Sequence, residues 1–395
     1  MSPARLSGQR PRVFLLAGEA SGDTHAAHLA QALQQLVPHV DLVGAGGPRM
    51  AEAGVRIVLD TSGWGVVGYV EAYVRVPAFA VRFRRVVNLV RALRPHVLVL
   101  VDFPGFNVFV AKALCRQVPT VYFFPPMAYG RRRPGRAKVL AALPVRVLVA
   151  FPFEYEAYRA AGADVVFVGH PARDVARPSL TRGQLWETLR LRPDGRLVAL
   201  LPGSRPQEVR ALLPVQLGAY QELVRRGLAV QAAVATASER LQPLVRQILR
   251  THRLKLPAPT GHTYDLLAHA DAAVVASGTA TLEAALLGTP SVVVYRVSRL
   301  TEWIARREAA LPWVSLPNLL AGQPVVPELL QKDCRPGRVA QVLHALLVDP
   351  SRASRMRDQL RALAEALGPP GATTRAAREV ARALGFGAQE LEGVP

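Results

Sequence analysis

Short apolar runs, each closed by a glycine or proline turn and followed by a helical stretch, recur along most of this chain. Val13 to Ala17 is the first such run, followed by the loop Gly18 to Asp23 and a helical pattern from about Thr24 to Val37. Asp41 to Gly44 reads as another short strand. Val97 to Val101, Val118 to Phe124 and Val145 to Phe151 are continuous apolar runs, as strands buried on both faces require. A second series follows Pro171 to Arg182, a Pro- and Arg-containing stretch that reads as a linker. It comprises Val198 to Leu201, Leu228 to Ala235, Ala272 to Ala276 and Ser291 to Tyr295. Beyond about Arg335 the pattern is helical and Arg-rich, with a Gly-Pro-Pro-Gly break at 368–371 and a last helix from about Thr373 to Leu384.

Strands that alternate with helices predict an α/β fold of doubly wound, Rossmann-like parallel sheets. The 395 residues exceed one typical core and suit two of them. The expected domains are 1–175, 176–366 and a C-terminal helical tail, 367–395, that packs back on the first domain or on a partner subunit. Ligands of open parallel sheets bind outside the carboxyl ends of the strands, so the functional site is expected in a cleft between the two halves.

Half the residues are apolar and 20% are charged, which excludes a disordered chain. The first apolar run is too short for a signal-peptide core or a membrane span, and the expectation is a cytoplasmic protein. Cys115 and Cys334 form no C-x-x-C pair and no disulfide framework. The formal charge of +20 favours anionic partners, whether phosphates, acidic lipid or nucleic acid. Nearly all of it is arginine, since lysine occurs only at Lys112, Lys138, Lys255 and Lys332.

Three strand-to-helix turns carry the candidate chemistry. Gly18-Glu19-Ala20-Ser21-Gly22-Asp23 offers free backbone N–H groups and a helix dipole to an anion, or else is a tight turn with Ser21 or Asp23 as N-cap. Pro202-Gly203-Ser204-Arg205 holds the equivalent place in the second half, with an arginine suited to a diphosphate and Glu208 three residues on. Ser277-Gly278-Thr279 is the third, with Glu283 on the same helix face, an arrangement that fits phosphate at the turn and a ribose diol at the carboxylate. Ordinary capping explains these last two turns equally in form. Asp102 ends the run Val97 to Val101, where a carboxylate could take a proton from an acceptor hydroxyl or simply cap the next turn.

Nothing in the sequence specifies a metal: it holds no D-x-D or H-E-x-x-H, and His25 and His28 share a helix face without a third ligand. From Trp64 to Phe83 runs an apolar, aromatic tract. Its continuation sets Phe79, Phe83, Val86, Val90 and Leu93 on one helical stripe beside Arg82, Arg85 and Arg91. This is either a surface for anionic lipid or a core helix with a solvated basic face.

Taken together, these segments resemble the lipid A disaccharide synthases, glycosyltransferases of the GT-B fold. The motifs run in order along nearly the whole chain: Ala17 to Asp23, Gly46-Gly47-Pro48-Arg49-Met50, Gly68 with Glu71, Val101-Asp102-Phe103-Pro104 with Phe106-Asn107, and Phe151-Pro152-Phe153-Glu154. Gly169-His170-Pro171, Leu201 to Arg205 with Glu208, Ala276 to Glu283 and Ser315 to Gly322 complete the set. The resemblance implies transfer of 2,3-diacylglucosamine from UDP to 2,3-diacylglucosamine 1-phosphate through a β1-6 link, with inversion and release of UDP. No cofactor or metal is implied, and the expected location is the inner face of the cytoplasmic membrane.

By that likeness Asp102 matches the general base and Arg205 the arginine of the UDP site, with Glu19 beside them as a catalytic candidate. Gly203, Ser204, Ser277, Gly278, Thr279, Glu283 and Asn318 fall in donor-binding motifs. Ser21, Gly68, Glu71, Tyr73, Phe79, Arg82 and Arg85 fall on the substrate and membrane side. The implied partners are UDP-diacylglucosamine, the acylated glucosamine phosphate, an anionic membrane surface and a second copy of the chain, with no nucleic acid.

The sequence departs from the family where relatives carry Ser-Pro-x-x-Trp-Ala-Trp-Arg. Here it reads Phe124-Pro125-Pro126-Met127-Ala128-Tyr129-Gly130-Arg131, and Gly105 replaces an expected aspartate. These changes lie on the acceptor side, and the donor motifs are intact. The alternatives are a UDP-sugar 2-epimerase, a transferase with another lipid acceptor, a relative that binds without transferring, and, on charge alone, a nucleic-acid-binding protein.

Overall fold

The structure is a computed structural model that describes residues 10–64, 76–128, 134–296 and 313–391. Gly68, Glu71, Tyr73 and the 129–133 part of the altered segment lie outside the described residues. Among the described residues the chain divides into two compact units. One runs up to Pro171 and takes in the tail from Leu367, and the other runs from Ala172 to Ala366.

In the first unit seven strands form one parallel sheet. They are β1 (Arg12–Ala17), β2 (Asp41–Gly46), β3 (Arg56–Asp60), β4 (Val97–Val101), β5 (Thr120–Phe123), β6 (Val145–Val149) and β7 (Val165–Phe167), in the order β3-β2-β1-β4-β5-β6-β7. The continuous apolar runs become the central strands because helices cover both faces. Val13, Leu15, Val97 and Val99 point to one core and Phe14, Leu16, Leu98 and Leu100 to the other, all without exposed surface. The first core lies under the helix Ala20–Leu36, the second under the helices Val76–Leu93 and Pro104–Leu114.

The tail helix Ala372–Ala383 packs on the helix Ala20–Leu36 and closes the first core with Ala376, Ala377, Val380 and Ala381, all fully buried. Alanine at three of these positions lets the helices approach closely. The Arg375 guanidinium donates to the carbonyl of Val168 at 2.8 Å, and buried Glu379 accepts two bonds from Arg146 at 2.9 and 3.0 Å.

The second unit holds a five-stranded parallel sheet of β8 (Arg196–Leu201), β9 (Val230–Val234), β10 (Ala272–Ala276), β11 (Ser291–Tyr295) and β12 (Glu328–Leu330), in the order β12-β11-β10-β8-β9. The stretch read as a linker, Pro171 to Arg182, is built into this unit from Ala172 on. Buried Asp265 accepts the backbone N–H groups of Ser179 and Leu180, and His269 Nε2 meets the Leu180 carbonyl at 2.8 Å. Among the described residues no helix is long and apolar enough to cross a membrane.

Candidate active site

Each sheet reverses its winding at one point, and each of these switch points is flanked by two of the loops picked out in the sequence. In the first unit it lies between β1 and β4, whose register pairs Ala17 with Val101 and so sets the Gly18 loop beside Asp102. In the second it lies between β8 and β10, where Val275 pairs with Leu201, bringing together the Pro202–Arg205 and Ser277–Thr279 turns. Such switch points open the crevices in which ligands of these sheets bind.

The helix after β1 begins at Ala20, earlier than the expected Thr24, with Glu19 as its N-cap in extended conformation. Neither Ser21 nor Asp23 is the N-cap; both lie in the first turn. The early start works because of two glycines. A Cβ on Gly18 would lie 2.1 Å from the Phe103 ring, and one on Gly22 would lie 3.3 Å from the Val101 carbonyl oxygen. Asp23, only 6% exposed, accepts the N–H groups of Gly47, Arg49 and Met50 at 2.8, 3.0 and 3.2 Å. It thereby caps the helix Pro48–Glu52 and ties the Gly18–Asp23 and Gly46–Met50 motifs into one piece.

Asp102 and Phe103 both adopt left-handed backbone, with φ of +52° and +50°. Two successive non-glycine residues there cost on the order of 1–3 kcal/mol each, which the surroundings must offset. The Asp102 carbonyl accepts from Asn107 Nδ2 at 2.8 Å and from the Tyr122 hydroxyl at 3.1 Å, while its N–H donates to Phe123 at 2.9 Å. The carboxylate Oδ2 accepts from the Ser21 hydroxyl at 2.9 Å. Burial pushes the Asp102 carboxyl above its ordinary range, against the pull of the Ser21 hydroxyl and the Phe103 amide.

Beside it, the altered segment begins with Phe124, also left-handed at φ +57°. Its ring stacks on His25 at 4.3 Å and meets His170 edge-on at 5.5 Å. Burial, aided by His28, holds His25 down at about 4, and burial with His25 holds His170 at about 3, so both imidazoles are neutral near pH 7. Glu154, third in the helix Pro152–Ala160 and 4% exposed, accepts from the Phe151 and Ala150 amides, yet burial pushes it up to about 8. Among the described residues no three His, Cys, Asp or Glu side chains group as metal ligands would.

In the second unit Arg205 is the N-cap of the helix Pro206–Arg225. Glu208 Oε2 accepts the N–H groups of Ser204 and Arg205, and its Oε1 takes Arg205 Nη1 at 3.1 Å. The Arg205 side chain stays 56% exposed. Gly203 is required twice over: its φ is +109°, and a Cβ would stand 2.4 Å from Glu208 Oε2. Gly278, at φ +149°, caps the helix Thr279–Leu286, leaving Thr279 exposed and Ser277 Oγ near the Val314 carbonyl at 3.4 Å. Glu283, in the next turn of that helix, is raised by burial and accepts the Tyr264 hydroxyl at 3.0 Å.

Asn318 does not join this group as a ligand contact. It is wholly buried, its Nδ2 donates to Val326 and Glu328, and its Oδ1 accepts from Val325 and Val326. All four of its bonds are used to shape the loop that also carries Ser315.

The apolar stripe of the helix Val76–Leu93 faces the core: Val86 and Val90 are fully buried, and Phe79, Phe83 and Leu93 pack against the same cluster. Phe79, placed on the substrate and membrane side by the resemblance, packs with this core instead, its ring meeting Phe106 and Phe109 edge-on at 5.3 and 5.4 Å. Arg82 lies over buried Trp64 at 5.0 Å, and Arg84 and Arg85 are exposed. Val81 and Phe109, 66% and 50% exposed, remain as apolar surface.

Tyr122, Tyr264 and Glu328 went unnoticed in the sequence. Tyr122 had a signal, a phenol within a mostly apolar strand, whereas Tyr264 and Glu328 owe their place to packing across the second unit.

Two parallel α/β units, one with a half-buried carboxylate and the other with an arginine and two helix N-termini at their switch points, define a nucleotide-sugar enzyme of the GT-B class. A profile of the family described as Lipid-A-disaccharide synthetase matches residues 13–381. The lipid-A-disaccharide synthase of Geobacter sulfurreducens is 36% identical over 375 residues, covering 95% of this chain and 97% of its own length. That of Myxococcus xanthus is 38% identical over 380 residues, covering 95% and 98%. The chain belongs to the lipid-A-disaccharide synthetase family and is a UDP-sugar-dependent glycosyltransferase.

Solved structures show the same fold at low identity. The calicheamicin glycosyltransferase CalG4 superposes with a TM-score of 0.60 at 17% identity, covering 96% of this chain and all 100% of that one. The UDP-GlcNAc 2-epimerase from Neisseria meningitidis bound to UDP-GlcNAc gives 0.56 at 11%, covering 94% and 99%. The epimerase alternative thus shares the fold but not the family.

Gly203→Ala should weaken UDP binding by about tenfold or more, as it disturbs the turn whose amides Glu208 holds. Isothermal titration with UDP checks this, and an unchanged affinity would remove the turn from the nucleotide site.

Proposed function

We propose that the enzyme transfers 2,3-diacylglucosamine from UDP to the 6-hydroxyl of 2,3-diacylglucosamine 1-phosphate. The acceptor oxygen attacks the anomeric carbon, the bond to the diphosphate breaks with inversion, the hydroxyl proton passes to Asp102, and UDP leaves. The observation that carries this reading is Asp102 itself, a half-buried carboxylate fixed at a switch point by a strained backbone and a serine hydroxyl. A base held in one geometry costs no reorganisation when the proton moves.

The departing diphosphate gains negative charge. Arg205 and the N-termini of the helices Pro206–Arg225 and Thr279–Leu286 supply positive charge and N–H donors to it without calling on a metal ion. Ser204, Ser277 and Thr279 add hydroxyls at the same turns. Glu283, oriented by Tyr264, suits the ribose diol as an acceptor. The acylated substrates place the reaction at a membrane surface, and the exposed Arg84 and Arg85, with Arg82 and the apolar Val81 and Phe109, support docking on the anionic inner face.

Asp102→Asn should lower turnover about a hundredfold or more with UDP affinity unchanged, whereas Arg205→Ala should weaken UDP binding. Steady-state kinetics and UDP titration separate the two, and normal turnover in Asp102→Asn would remove the base. Replacing Arg82, Arg84 and Arg85 by Gln should reduce co-sedimentation with vesicles containing anionic phospholipid, most clearly at low salt. Equal binding by the variant would assign that face to solvent.

A further inference from the structure

Ser21 and Asp102 lie 81 residues apart, yet the hydroxyl donates to Oδ2 at 2.9 Å. The donor is placed by the same packing that strains the acceptor. Gly22 lets the helix Ala20–Leu36 start against the Val101 carbonyl, and Gly18 admits the Phe103 ring, which follows Asp102 in the left-handed turn. From the other side, Asn107 and Tyr122 clamp the Asp102 carbonyl. The backbone is therefore fixed, and the remaining freedom of the residue is rotation of its carboxylate.

We propose that Ser21 is a positioning residue for the transfer: its hydroxyl occupies Oδ2 of Asp102 and so presents Oδ1 as the oxygen that takes the acceptor's proton. This deepens the reading of Asp102 as base and rests on it. A carboxylate cannot donate when ionised, so the hydroxyl must donate, and one bond to one oxygen breaks the equivalence of the two. Without it the carboxylate loses one of two holds, the Phe103 amide being the other, and misplacement of a reacting group by about 1 Å costs on the order of a hundredfold.

The groups around Asp102 permit a clean readout. Ser21 faces it from the helix Ala20–Leu36, Asn107 from the helix Pro104–Leu114, and Tyr122 from β5, where burial raises the phenol well above its ordinary range and keeps it neutral. On the helix of Ser21, Asp23 is engaged by Gly47, Arg49 and Met50, Glu19 is the N-cap, and His25 is neutral. Burial opposes the ionised form of Asp102, and the Ser21 hydroxyl and the Phe103 amide favour it. Losing the bond raises the carboxyl further, so activity that needs the carboxylate is retained only at higher pH.

The test is the pH profile of kcat in Ser21→Ala and Ser21→Thr, with melting temperature as the control for folding. Ser21→Ala is expected to lower kcat about ten- to a hundredfold at pH 7, leave KM for the UDP-sugar unchanged and move the acidic limb to higher pH. Ser21→Thr, which keeps the hydroxyl, is expected to restore the limb. A limb that stays in place in Ser21→Ala, or a Thr variant no better than Ala, overturns the proposal. Asp102→Asn separates this from the underlying reading: if it retains turnover the base assignment fails, and if it is inactive while Ser21→Ala keeps the wild-type profile only the positioning role fails.

Discussion

The strained turn at Asp102 and Phe103 is the constraint on which the rest of the first unit depends. A left-handed pair of bulky residues is unfavourable in isolation. It persists because the Phe103 ring fits where Gly18 has no side chain, because Asn107 and Tyr122 hold the Asp102 carbonyl, and because Gly22 brings the next helix close enough for Ser21 to reach the carboxylate. Two motifs and a strand distant in the sequence are thus one interlocking piece. Its product is a half-buried carboxylate, oriented by the Ser21 hydroxyl and raised in pKa by desolvation.

The second unit reaches its chemistry by a different use of the same architecture. There the backbone is left to glycine, at Gly203 and Gly278, and the side chains that matter are gathered by acidic residues acting inward. Glu208 holds the Ser204 and Arg205 amides, and Glu328 holds Ser315 and Asn318. The outcome is two helix N-termini beside an exposed guanidinium, a setting for an anion as the first unit is a setting for a proton acceptor.

The central strands were legible because parallel strands covered on both faces must be apolar throughout, as Val97–Val101 and Ala272–Ala276 are. Edge strands carry no such mark. Arg56–Asp60 begins and ends on charges, and Val165–Phe167 and Glu328–Leu330 have three residues each, so none of these stood out. The start of the first helix was misread because glycine ordinarily interrupts a helix, and only the three-dimensional contact with Val101 shows why Gly22 belongs there. Asp102, Arg205, Gly203 and Glu283 were singled out from their place after strands, and the structure sets them beside the two switch points. Asn318 was legible as a motif residue but not as a buried brace, and the Ser21–Asp102 bond depends on a register between β1 and β4 that no local pattern encodes.

Proton removal from an acceptor hydroxyl as the nucleotide departs is the central step, and acceptor-dependent release of UDP tests it most directly. With UDP-diacylglucosamine as donor, UDP should appear in step with a β-linked disaccharide and only when 2,3-diacylglucosamine 1-phosphate is present. Release of UDP at the same rate without acceptor, or recovery of an epimerised sugar, would contradict it.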